Sequence, residues 1–174
     1  YIVLDYGYSP DPSCSLWFAV DPHGKAYGYR ELYERELTYK QLAGKLIEMT
    51  PEEEKIECVI ADPEICRKSR ETGIRGSETL SKELGHKWGI VPADNDRIEG
   101  WRELRHWIEP YEEEGKMTAR IQFFPNCVNT IKTIPTLVHD RINAEDVDDK
   151  CEDHVADCCR YFVMSRPRKR EEPK

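Results

Sequence analysis

The chain has 174 residues, 39% of them apolar and 34% charged, which suits one domain with its own hydrophobic core and leaves little room for a second. No run approaches the roughly 18 apolar residues that a membrane helix needs. The formal charge of −8 argues against a simple phosphate binder, unless carboxylates converge on cations that locally reverse the sign.

The opening run, Tyr1-Ile-Val-Leu, is strand-like, and no signal peptide is expected. It also lacks an initiator Met, and the expectation is a piece cut from a longer protein just before its first strand. Tyr1 to Asp5 is a first strand ending on an acid, followed by Gly7 and the turn cluster Ser9-Pro-Asp-Pro-Ser. Leu16 to Val20 is a second strand closed by Asp21-Pro-His-Gly, and Ala26 to Glu34 alternates as a third, so the spacing predicts an antiparallel meander.

The period then changes. Thr38 can cap a helix with the apolar stripe Leu42, Leu46 and Ile47, stopped at Met49-Thr-Pro. Cys58 to Asp62 reads as a short buried strand, again ending on an acid. Ser77 to Leu84 is a helix with Gly85 past its end, and Gly89 to Pro92 a strand. Ile98 to Tyr111 is helical, Ile121 to Phe124 a strand, and Cys127 to Ile134 a short helix stopped by Pro135. Leu137 to Lys150 has room for one short strand. Glu152 to Met164 is the last helix, with Val155, Cys159, Phe162 and Val163 on its core face. This order predicts an α/β domain over residues 1–165, with a central mixed sheet whose first three strands are antiparallel, and a basic flexible tail at 166–174.

The seven cysteines form no C-x-x-C pair, and reduced thiols without disulfides are expected. Cys151, His154 and Cys158 have helical spacing that would suit zinc, but no fourth ligand is evident.

Three acids stand out by position. Asp5 and Asp62 each close a strand, and if those strands are neighbours the two carboxylates lie side by side. Asp157, one turn into the last helix beside core residues, can join them if that helix crosses the same sheet end. Clustered carboxylates repel one another unless cations bind, and hard divalent ions take oxygen ligands. Asp153 and His154 lie four and three residues before Asp157, on the same helical face. Plainer readings exist: Asp5 and Asp62 can start turns, and acids early in a helix complement its dipole. The conjunction of the three is the signal.

Ile2-Val-Leu-Asp-Tyr-Gly7, Val59-Ile-Ala-Asp62 and Glu152-Asp-His-Val-Ala-Asp157 with Arg160-Tyr161 together resemble the nuclease domain of phage large terminase subunits, itself similar to ribonuclease H and Holliday-junction resolvases. The element order is similar almost to Met164. The resemblance implies a ribonuclease H-like fold with helices on both faces of the sheet. It also implies a metal-dependent endonuclease that cuts double-stranded DNA by a two-metal-ion mechanism during viral genome packaging. Asp5, Asp62 and Asp157 would hold two Mg²⁺ or Mn²⁺ ions, with Asp153 as a further ligand and His154 as a ligand or proton shuttle. An ATPase domain precedes the nuclease in that family. No G-x-x-x-x-G-K-[ST] phosphate loop occurs here, so that domain is expected outside this chain. Portal and small terminase subunit are implied partners, and the host cell cytoplasm the implied location.

Arg67, Lys68, Arg70 and Arg75 follow Asp62 in a glycine-containing stretch suited to gripping phosphates, with Lys132 and the tail as further candidates. No element resembles a recognition helix, so weak sequence preference is expected. The acidic charge implies weak DNA affinity for the domain alone. Two other readings stay open: a resolvase or ribonuclease H acting on junctions or RNA–DNA hybrids, and a non-catalytic docking module of a packaging motor.

Overall fold

The computed structural model describes residues 1–166 apart from Glu71 and Asp149; the expected tail from 167 to 174 lies outside the described residues. The first three strands, β1 (Ile2–Asp5), β2 (Ser13–Val20) and β3 (Ala26–Glu34), form the antiparallel meander that their turns predict. Helix α1 (Tyr39–Glu48) then leads to β4 (Val59–Ala61), a 3₁₀ turn over Pro63–Cys66, α2 (Gly76–Glu83) and β5 (Ile90–Pro92). After α3 (Arg97–Ile108) come the hairpin β6 (Tyr111–Glu113) and β7 (Lys116–Thr118), then β8 (Ile121–Phe123), α4 (Val128–Thr133) and α5 (His154–Ser165).

The main sheet is mixed, in the order β5-β4-β1-β2-β3-β8, with β4 parallel to β1, β5 parallel to β4 and β8 parallel to β3. Successive strand residues face opposite sides, so β1 feeds two cores at once. Ile2 and Leu4 pack with Leu42, Leu46 and Leu80 beneath α1 and α2. Val3 packs with Trp101, Leu104 and Phe162 beneath α3 and α5. Helices therefore cover both faces, the ribonuclease H-like arrangement.

Helix α1 begins as its sequence suggests. The Thr38 side chain accepts from the Gln41 amide, and the Gln41 side chain reaches back to the Thr38 amide. Its buried stripe is Leu42, Ala43 and Leu46, while Ile47, expected in the stripe, is exposed. Just past its end, buried Thr50 accepts from the Trp17 indole at 2.8 Å and donates to the Leu46 carbonyl at 2.7 Å. Thr50→Val keeps the shape but strands the indole N–H. It is expected to cost about 1–3 kcal/mol, read as a lower urea midpoint at unchanged slope.

Two of the expected elements need correction. The helix expected to run to Tyr111 stops at Ile108, and Tyr111 opens the β6–β7 hairpin. Glu114 and Gly115, both at positive φ, make its two-residue turn. Strands of three residues show too little alternation to be read against a preceding helix. The strand sought between Leu137 and Lys150 reduces to one isolated bridge, His139 with Val147.

Candidate functional site

Parallel pairing puts Leu4 opposite Ala61, and the Asp62 amide donates to the Leu4 carbonyl at 2.8 Å. Asp5 and Asp62 therefore leave the sheet together at one end. Pro63 then starts the 3₁₀ turn, and the Asp62 carboxylate caps it by accepting from the Glu64 amide at 2.9 Å. The turn-initiator reading of Asp62 is thus correct, and the cap ties the side chain in place.

Helix α5 packs across β1 and β2 and brings its first turn to the same end. Cys158, fully buried, donates to the carbonyl of Cys14, the residue paired with Asp5 across the strands. His154 Nδ1 lies 3.0 Å from Asp5 Oδ2, and its Nε2 lies 3.7 Å from Asp11. Asp153 is not inside the helix but is its N-cap position, and its carboxylate goes to Arg97 rather than to the helix amides.

The electrostatics are those of acids forced together. Burial pushes the Asp5 carboxyl up to about 6, and the charges of Asp157 and Asp62 push the same way against the hydrogen bond from His154. Burial also raises Asp62 and Asp153, each with Asp157 as an added repulsion. The hydrogen bond to Asp5 raises His154.

Two arginines that sequence reasoning gave no role supply the balancing charge. Arg97 reaches Asp146 at 2.7 Å, Asp153 at 3.2 Å and Asp157 at 4.0 Å. Arg160 donates from Nε to Asp157 Oδ1 at 2.9 Å. Arg160 follows Asp157 by three residues, a helical pairing that was visible in the sequence. Arg97 and Asp146 are far apart in the chain and carried no such mark.

The donor set, all carboxylates with one imidazole, fits a hard divalent cation. The side chains as they stand lean on His154, Arg97 and Arg160. Among the described residues no group of three or more His, Cys, Asp or Glu is drawn close enough to hold an ion. The acids fit such an ion in their chemistry and in their common place at one sheet end. The zinc trio is not assembled, since His154 faces Asp5 while Cys158 is buried against Cys14, and all seven cysteines are free thiols.

Arg67 and Lys68 line a groove that includes Asp62, Tyr6 and Tyr39, the two tyrosine rings being stacked at 4.4 Å. Lys68 pairs with Arg75 in an isolated bridge, which folds this exposed loop back on itself. Arg70 is exposed at its turn, and Arg75 pairs with Glu78 at 3.2 Å. Lys132 is exposed on α4, and no contact among the described residues brings it to the acids.

The six-stranded mixed sheet with helices on both faces is a ribonuclease H-like fold, the fold of solved terminase nuclease domains that it resembles. The structure is similar to the large terminase of a thermophilic bacteriophage, solved with ATP-γ-S, at a TM-score of 0.70 and 22% identity over 94% of this chain. It is also similar to the large terminase nuclease domain of P22 (TM-score 0.67, 21% identity, 94% of this chain and 78% of that one). The large terminase nuclease domain of bacteriophage SPP1, solved with bound Mn, gives a TM-score of 0.60 at 22% identity, covering 91% of this chain and 82% of that one. The chain spans 38% of the length of the thermophilic phage's protein. No protein-family model matches the chain, and no curated protein matches it in sequence.

Proposed function

We propose that this domain is a metal-dependent endonuclease that cuts double-stranded DNA during viral genome packaging. The observation that carries the reading is the meeting of Asp5, Asp62 and Asp157 at one sheet end within the terminase nuclease fold. Asp5, Asp62 and Asp157 are the proposed ligands of two Mg²⁺ or Mn²⁺ ions, and the SPP1 domain with bound Mn supports a divalent cation. Once bound, such a pair activates water and stabilises the leaving oxygen of a phosphodiester. Asp153 stands by as an auxiliary ligand. His154, hydrogen-bonded to Asp5, orients that carboxylate and can take up or release a proton beside it. Arg67, Lys68, Arg70 and Arg75 hold the backbone phosphates flanking the cut, with Lys132 a more distant contact.

The likeness to the thermophilic phage's large terminase, solved with ATP-γ-S, supports an ATPase domain on the same polypeptide. Portal and small terminase subunit as partners, and the host cell cytoplasm as location, belong to the same proposal. No helix among the described residues is long and apolar enough to cross a membrane.

Nicking of supercoiled plasmid tests the reading. Cutting is expected with Mg²⁺ or Mn²⁺, absent with EDTA, and lowered at least ~100-fold in Asp62→Asn, as loss of a charge-stabilising group in a reacting site implies. A folded domain that cuts under no metal points to the docking module. Preference for junctions or RNA–DNA hybrids over duplex DNA moves the assignment to the resolvase or ribonuclease H reading.

A further inference from the structure

The buried arginine of the last helix has more to it than an ion pair. Arg160 is 1% exposed, and its Nε–H donates to Asp157, yet its NH1 is buried without a hydrogen-bond partner. Arginine is rarely sealed this deeply, and a guanidinium with an unsatisfied nitrogen is a poor choice for filling space. An unbranched apolar side chain would occupy the same volume without the desolvation.

The surroundings are shaped to hold it. Gly100 sits in the interior of α3, where glycine weakens a helix. A Cβ there would lie 2.4 Å from Arg160 Cγ and 2.7 Å from its Cδ, so only glycine lets the arginine stem pass. The Trp101 and Tyr161 rings flank the guanidinium at 5.3 and 4.7 Å. Arg97, by contrast, is 32% exposed and shared among three acids. One oxygen of Asp157 is therefore held by a group that cannot move, and the other faces a group that can.

We propose that Arg160, clamped by Gly100 and Trp101, is the positioning residue of the acid cluster: it fixes Oδ1 of Asp157 so that Oδ2 is left for a divalent cation. The inference rests on the nuclease reading and adds to it the part that orients the helix-borne acid. Arg160 touches neither substrate nor metal. Its role is to remove the freedom Asp157 would otherwise lose on binding an ion.

Mn²⁺ titration by calorimetry, with melting curves alongside, tests this on the chain as it stands, on Gly100→Ala and on Arg160→Lys. Gly100→Ala removes no acid and sets a methyl group against the arginine stem; Arg160→Lys keeps the charge but loses the planar fork. Both are expected to remain folded and to bind Mn²⁺ at least tenfold more weakly. Folded variants that bind within twofold of the unaltered chain overturn the proposal and leave the nuclease reading intact. An unaltered chain that takes up no Mn²⁺ removes both. If neither variant folds, the Nε–H resonance of Arg160 in the unaltered chain decides. It is expected to shift as Mg²⁺ is added, and a signal unmoved at saturation overturns the proposal.

Discussion

Asp5→Asn is expected to stabilise the metal-free domain at neutral pH by roughly 2–3 kcal/mol while abolishing metal-dependent cutting. Burial and the neighbouring acids lift the Asp5 carboxyl from 3.8 to about 6 in the folded chain. Between those values the folded chain keeps a proton that the unfolded chain has lost, so stability falls as pH rises through this window. His154 adds to the trend. Its folded pKa is raised by Asp5, so its contribution is full below 6.5 and is lost as pH rises through the folded value. Asp62 and Asp153, both raised, act in the same sense as Asp5. Urea unfolding in EDTA at pH 5 and pH 7.5 should show the unaltered domain weaker at the higher pH and the variant with a shallower slope. Equal stability of the two proteins at pH 7.5 would mean that Asp5 is not paying for its burial.

Asp157→Ala should do the opposite. Arg160 is sealed in the core with Asp157 as its hydrogen-bond partner, and the carboxylate is itself only 14% exposed. Removing the acid leaves a buried guanidinium uncompensated, at an expected cost of about 3–5 kcal/mol. Asp157→Asn keeps an acceptor oxygen for Nε and should cost about 1–2 kcal/mol. Both variants are expected to be inactive, so the discriminating measurement is calorimetric stability, with alanine well below asparagine. Equal and small losses would mean that the ion pair is loose in solution. Two acids of one cluster thus carry opposite stability signs, because one is buried beside other carboxylates and the other is answered by an arginine.

Much of this was readable from residue order. End-of-strand acids, the capping Thr38 and the turn at Asp21 are local signals, and the meander follows from short turns between alternating runs. The apolar spacing of α5 put Asp157 next to core residues, which is why it stood out where Asp153 did not. What was not legible depends on contacts between distant segments. The tie from Arg97 to Asp146 crosses 49 positions, and no spacing rule marks it. The hairpin at Tyr111 was hidden because its three-residue strands are half charged and mostly exposed. Gly100 was a missed clue: a glycine inside an otherwise well-formed helix asks what comes close to it, and the answer is Arg160.

The three acids are contributed by the ends of β1 and β4 and by the last helix of the described chain. During synthesis Asp5 and Asp62 emerge before α5, and the sheet end they occupy gains its third acid only when α5 has left the ribosome and docked over β1 and β2. The same docking buries Val155, Cys159 and Phe162, so the hydrophobic closure of the domain and the assembly of the acid cluster are one event. On the nuclease reading, a nascent chain still lacking α5 is harmless to nearby DNA, because the step that finishes the fold is also the step that arms it.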